Sequence, residues 1–481
     1  MPALARPKHL QHIQLPPRRA VVGGEADVLV VGGGPAGIGA AIGAARAGAR
    51  VVLAERYGFF GGNATAALVM PLMSFHTFRP PVDKPQEMTL LPTDHGPGDP
   101  VVAGVLAELQ QRLVDAGGAV PPTLATGYVV PFDPEVFKSV VLDMLDEAGV
   151  EFLLHALAAE VVAPEGHVEG VVFETKSGPV VIRARCVVDC TGDGDVAARA
   201  GAPFDIGREE DGLCQPMTLM FRMIEFDRLA FGDYLRDNPT QWRGVHGLWD
   251  LVRAATEAGE LDLAREDILF FATPHPREVS VNSTRVTGVF STDVWDLTRA
   301  EWLARRQMRQ IVDFLRKRVP GFENAYNAQS GVNIGVREAR RVRGDYQLTV
   351  DDVLSARKFP DVIARGSYPV DIHNPNGSGT ILKRVPPGDA YDIPLRCLLP
   401  QGVEGLLVAG RCISGTHEAH SSYRVMPIVM ATGQAAGVCA ALAAAGDTTP
   451  RASDVAEIQE ELLRQGANLG AVRTQGASVA R

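Results

Sequence analysis

Apolar positions along this chain change their period several times, and each change marks an element. Asp27-Val-Leu-Val-Val31 is a short apolar run without alternation; a glycine turn and a small-residue stretch from Ala36 to Gly48 follow it, which is the order strand, turn, helix. Arg50-Val-Val-Leu-Ala-Glu55 reads as a second buried strand and completes a βαβ unit, so the chain opens an α/β sheet. Val101 to Ala116 and Asp133 to Ala148 have the spacing of amphipathic helices, the second opened by Asp-Pro at its cap. Phe152 to Val162, Val168 to Glu174 and Val180 to Arg183 alternate between glycine turns, which predicts an antiparallel meander before Cys186-Val-Val-Asp-Cys-Thr-Gly rejoins the main sheet.

Beyond residue 203 the pattern changes. Residues 204 to about 395 hold all four Trp, a clear helix from Ala300 to Arg318 and short strands such as Leu219 to Ile224, and we assign them to an inserted α+β substrate domain. Gly405-Leu-Leu-Val-Ala-Gly410 is then a last buried strand, with Val425 to Ala445 a helix packed on it. The first domain is therefore discontinuous, covering 25–203 and 396–446, with an arm at 1–24 and a tail at 447–481 that holds one helical segment. Residues 76–100, rich in proline, predict a surface loop near the active site.

Composition adds exclusions. With 46% hydrophobic and 22% charged residues the chain has the make-up of a soluble globular protein, and a formal net charge of −10 gives a nucleic-acid backbone no general reason to bind. Six cysteines without a Cys-x-x-Cys pair form neither a disulfide framework nor a zinc ribbon, so no metal is expected and the cytoplasm is the expected compartment. The uncharged run from Val425 to Gly446 is long enough to test as a membrane span, but Pro427, Thr432, Gln434 and its Gly and Ala content fit a helix packed on protein or cofactor.

The glycine turn carries chemistry. In Gly32-Gly-Gly34-Pro35-Ala36-Gly37, Gly32 permits the tight turn, Gly34 lets backbone N–H groups approach a pyrophosphate, and Gly37 lets helix and strand pack closely. Glu55, closing the second strand, is placed to accept hydrogen bonds from ribose hydroxyls. This predicts a Rossmann-like dinucleotide-binding domain, and leaves NAD and FAD both open. A second glycine loop, Arg56-Tyr-Gly-Phe-Phe-Gly61-Gly62-Asn63-Ala64-Thr65, stands where a longer cofactor needs more backbone donors.

At this point the sequence resembles the FAD-dependent oxidoreductases whose nucleotide-binding half is shared by fumarate reductase flavoproteins and glutathione-reductase-type enzymes. Asp189-Cys-Thr191-Gly192-Asp193-Gly194-Asp195 is similar to that superfamily's second flavin motif, and Gly405 to Gly437, with Gly410-Arg411 and Tyr423-Arg-Val-Met426-Pro, is similar to its C-terminal flavin segment. The resemblance implies FAD as cofactor, with Gly410, Arg411, Val425 and Met426 near the ribityl chain and the pyrimidine edge of the ring. Independently, a helix N-terminus stabilises the negative charge that a reduced flavin carries near N1 and O2.

No second strand-glycine-helix unit for NAD(P)H is evident, and Cys186 and Cys190 fit buried packing better than a redox pair. The expectation is an enzyme passing a hydride between a small organic, anionic substrate and flavin N5, its electron acceptor and oligomeric state left open. His417-Glu-Ala-His420-Ser-Ser-Tyr-Arg424 lies between the last strand and the cofactor helix, so His417 and His420 are the expected acid–base pair and Arg424 is expected to hold a carboxylate or stabilise enolate-like charge. From the second domain, Arg340 within the arginine-rich stretch Asn333 to Arg343, and Tyr368 and His373 on a loop, are further candidates. The competing readings are a non-redox flavoprotein, such as an isomerase or eliminase, and a regulatory binding protein on the same scaffold.

Overall fold

A computed structural model describes residues 6–79, 90–91, 98–123, 126–377 and 379–471. The first sheet is built from β1 (Val21–Val31), β2 (Val51–Ala54), β3 (Glu151–Leu153), β4 (Leu157–Val162), β5 (Gly170–Thr175) and β6 (Gly178–Asp189), in the order β3-β2-β1-β6-β5-β4. A last strand, Leu406–Val408, pairs in parallel with the end of β6. The apolar runs without alternation became the segment 28–31 of β1 and the strand β2 paired in parallel with it, which are buried on both faces.

Three boundaries differ from the sequence reading. The arm ends at residue 20 rather than 24, because Val21 to Glu25 extend β1 by pairing with Val180 to Arg183. The stretch 152–162 is two strands: β3 joins the parallel edge beside β2, whereas β4 pairs antiparallel with β5. Conversely, 180–183 and 186–189 are one strand, paired in parallel with β1 along its length, whose first half also pairs antiparallel with β5 and whose end also pairs in parallel with the last strand. Most of the expected 76–100 loop, at 80–89 and 92–97, lies outside the described residues.

A second, six-stranded antiparallel sheet runs Tyr326–Ser330, Phe221–Ile224, Glu278–Val281, Ile268–Ala272, His246–Gly247, Trp242–Arg243. Its core joins Phe226, Phe231, Phe270 and Phe322 with Ile311, Phe314 and Leu315 of the helix Val294–Arg318. From Val342 to Leu399, however, the buried side chains pack in the first core. A boundary near 342 therefore matches the packing better than one at 395/396.

Helix α1 (Pro35–Arg46) crosses the helix Met426–Ala445, which is long and apolar enough to span a membrane but has 83% of its most apolar window buried inside the protein. Small residues set the closeness of this crossing. A Cβ at Gly433 would lie 1.9 Å from the Ala36 carbonyl oxygen, one at Gly437 2.0 Å from that of Ala40, and one at Gly39 2.3 Å from that of Met430. Backbone touches backbone, and the two helix N-termini are brought to the same groove.

Candidate active site

That groove collects the ends of β1, β2 and β6 with the start of both helices. Of the residues expected to hold the cofactor, Gly32, Gly34, Pro35, Ala36, Glu55, Arg56, Gly62, Asn63, Thr191, Gly192, Gly410, Arg411 and Met426 line it. Three segments far apart in sequence thus converge. Neither helix has a side-chain cap or an acidic residue in its first turn, so both N-termini offer unclaimed N–H groups to an anionic ligand. The Glu55 carboxylate accepts from Gly33 N at 2.6 Å and Tyr57 N at 2.9 Å. Burial raises its pKa against the lowering pull of those two backbone donors.

Five expected residues support the groove without lining it. A Cβ at Gly37 would sit 1.8 Å from the Gly32 carbonyl oxygen, so this glycine serves packing. Gly61, at φ 118°, and Thr65, whose hydroxyl donates to the Phe60 carbonyl at 2.8 Å, shape the second loop, and Ala64 is fully buried beside them. Asp193 accepts from Arg411 at 3.0 Å and orients that guanidinium. The turn itself is held by Asp189, which accepts from Thr191 N and Oγ1 and from Val196 N and Ala197 N. Asp195 and Asn333 line the groove and were not singled out as cofactor residues from sequence.

The residues present fit an extended dinucleotide. The two glycine loops face each other so closely that a Cβ at Gly62 would come within 2.8 Å of Gly34 Cα, and Nη1 of Arg411 is buried with no hydrogen-bond partner among the described residues.

A second cavity, of about 360 Å³, adjoins the groove and shares Asn63, Arg411, Arg424 and Met426 with it. Val425, expected at the flavin, lines only this second cavity. Its walls are mostly apolar, with Val69, Met70, Met73 and Met220, and Leu269 and Phe271 of the second sheet, beside the polar Thr218, His246 and Asn282. At its polar end the hairpin strand Val370–His373 brings together Tyr368, Asp371 and His373. Asp371 Oδ2 accepts from the Tyr368 hydroxyl at 2.8 Å and lies 3.4 Å from His373 Nε2 and 3.5 Å from Arg424 Nη2. Burial would raise the Asp371 pKa, but His373, Arg424 and Tyr368 together hold it well below the usual carboxylate range. Burial pushes His373 down to about 4 and, with the charge of Asp371, lifts Tyr368 well above the usual phenol range. Asp371 is therefore ionised at neutral pH and paired with Arg424, while Tyr368 and His373 are neutral.

The expected acid–base pair is not there. His417 and His420 lie three residues apart on the helix His417–Tyr423, on the face turned into the protein. His417 Nδ1 bonds Glu338 at 2.8 Å, and the same carboxylate pairs with Arg341, so this histidine belongs to a buried ionic staple. His420 has no exposed surface, neither ring nitrogen has a partner among the described residues, and neither histidine lines the groove or the second cavity. What this helix does is seat the hairpin: Ser421 Oγ accepts from Asp371 N at 3.1 Å and Ser422 Oγ donates to the Tyr368 carbonyl. Arg340 is also displaced from its expected role, because it bonds the Asp193 carbonyl and the Asp195 carboxylate and braces the flavin turn. Three residues before it, Arg337 lines the second cavity instead. Asp371 and Arg337 were within stretches singled out from sequence, but nothing local distinguished them from their neighbours.

The chain belongs to the FAD dependent oxidoreductase family, whose model matches residues 27–462. FAD is accordingly its cofactor and flavin redox chemistry its class of activity. Among relatives, it is 30% identical over 209 residues to digeranylgeranylglycerophospholipid reductase 2 of Methanopyrus kandleri, covering 43% of this chain and 48% of that protein. It is 29% identical over 187 residues to thiamine thiazole synthase of Methanococcus aeolicus, covering 36% and 57%. The matches thus span about half the length of these relatives. Among solved structures it is similar to a geranylgeranyl bacteriochlorophyll reductase-like protein of Thermoplasma acidophilum, with 13% identity, 92% of this chain and 85% of that one covered, and a TM-score of 0.45.

Proposed function

We propose that this enzyme passes a hydride between flavin N5 and a small organic, anionic substrate seated in the second cavity. The observation that carries this reading is the shared wall of Asn63, Arg411, Arg424 and Met426 between the nucleotide groove and the apolar cavity. When bound, FAD supplies the two-electron chemistry. The groove residues and the two helix N-termini hold its phosphates and its electron-rich ring edge, and Arg411 stands between the two compartments. Arg424 orients the substrate. Tyr368 relays the accompanying proton, its oxygen taking one from the substrate as its own O–H proton passes to Asp371, or the reverse, with His373 behind them, 3.4 Å from Thr380 on the exposed hairpin strand. The apolar walls exclude water from the reacting atoms.

Anaerobic mixing of the purified holoenzyme with a panel of hydroxy, keto, saturated and unsaturated acids tests this directly. At least one member should bleach the flavin's visible absorption or reoxidise the chemically reduced form. If none does either, with the cofactor still bound, the hydride reading fails and a non-redox use of the flavin takes its place. The same chemistry fits a cytoplasmic enzyme, whose six cysteines are all buried and free.

A further inference from the structure

Arg337 is half-buried in the wall of the second cavity, where desolvation lowers its pKa to about 9 and so leaves it charged at neutral pH. One nitrogen, Nη1, donates to the Pro216 carbonyl at 2.7 Å and to Thr218 Oγ1 at 2.6 Å. Both acceptors are neutral, and among the described residues no carboxylate forms an ion pair with it. A desolvated guanidinium without a counter-charge is costly, and proteins keep one where a ligand supplies the missing charge. The other charges at this end of the cavity are matched: Arg411 by Asp193 and Arg424 by Asp371. Arg337 leaves one positive charge over, in the wall of a chamber that Met70, Met73, Met220, Leu269 and Phe271 also line.

We infer that the substrate is a monocarboxylate with a hydrocarbon body, its carboxylate held by Arg337 and its body lying along Met70, Met73, Met220 and Phe271. This rests on the proposed use of the second cavity as the substrate site. One planar anion with a single charge matches one fork of N–H donors, whereas a dianionic phosphate ester would carry a charge too many into the same apolar space. Methionine walls, being unbranched and polarisable, accommodate an aliphatic or aromatic body without a fixed shape.

Calorimetric titration of the FAD-loaded enzyme with redox-inert straight-chain carboxylates, and with the alcohols and phosphonates of equal length, decides the matter. Carboxylates should bind about ten- to a hundredfold more tightly than the alcohols, and about threefold more tightly with each added methylene until the cavity is filled. In Arg337→Met the preference for carboxylate over alcohol should vanish while apolar binding persists, and Arg337→Lys should restore part of it. FAD content, read from the visible spectrum, shows whether each variant is folded. Equal binding of alcohol and carboxylate by the wild-type enzyme, tighter binding of the phosphonate, or a preference that survives in Arg337→Met would each overturn the inference. Its failure differs from failure of the hydride reading, since carboxylates could bind as described without any acid bleaching the flavin, and a neutral compound could bleach it without the carboxylates binding.

Discussion

Glu55 and His420 show how differently buried polar side chains can matter. Glu55 ties the first glycine turn to the start of the second glycine loop through two backbone N–H donors, and its placement after the second strand made it legible from sequence. Removing it leaves both donors unpaired at the groove. Glu55→Ala is expected to weaken FAD binding by about 2 kcal/mol, roughly thirtyfold, in titrations of the apoprotein followed by flavin fluorescence. His420 was equally conspicuous in sequence, but it is buried, surrounded by Arg341, Arg411 and Arg424, and held neutral by burial first and those charges second. An apolar residue of similar size forfeits no hydrogen bond there. His420→Leu should therefore keep the wild-type rate of flavin reduction within about twofold, with a melting temperature equal or higher. A large fall in that rate with FAD retained would return His420 to the chemistry.

At the scale of elements, periodicity carried most of what could be read. The helices Pro134–Glu147 and Met426–Ala445 and the strands flanking the glycine turn fall close to where apolar spacing put them. The division of 152–162 into β3 and β4 was missed because alternation looks the same whether the partner strand is parallel or antiparallel. Only the partners decide. The crossing of α1 with the helix Met426–Ala445 is the contact on which the groove depends. Gly433→Ala gains about 1 kcal/mol in helix propensity, but its methyl group meets the Ala36 carbonyl oxygen at 1.9 Å, a backbone atom that cannot swing aside. The clash should win, with a net loss of about 2 kcal/mol in unfolding free energy and weaker FAD retention, measurable by denaturant titration of the holoprotein and apoprotein.

Across the whole molecule the two sheets make unequal contributions. The first supplies the cofactor groove, the second supplies one wall of the second cavity, and the segment from Val342 to Leu399 belongs by packing to the first while its hairpin carries Asp371 and His373 into that cavity. Binding of one extended cofactor should couple the converging segments. Removal of FAD is expected to raise amide exchange together in 32–37, 56–63, 190–195 and 409–426, with little change in the phenylalanine core of the second sheet. Exchange that rises in only one of these segments would show that they do not act as a single cradle.

Local chemistry was enough for the cofactor. A pyrophosphate calls for a strand, a tight glycine turn and a helix start in immediate succession, and an acid at the end of the next strand, all of which are written within one short stretch of chain. The second cavity obeys no such rule. Arg337, Tyr368, Asp371, His373 and Arg424 come from three separate stretches of chain, and their side-chain directions follow from how the loop before Arg340, the hairpin and the end of the helix His417–Tyr423 pack against one another. Hence sequence singled out Arg340 and the two helix histidines, while packing turned those inward and left Arg337 and Asp371 facing the cavity.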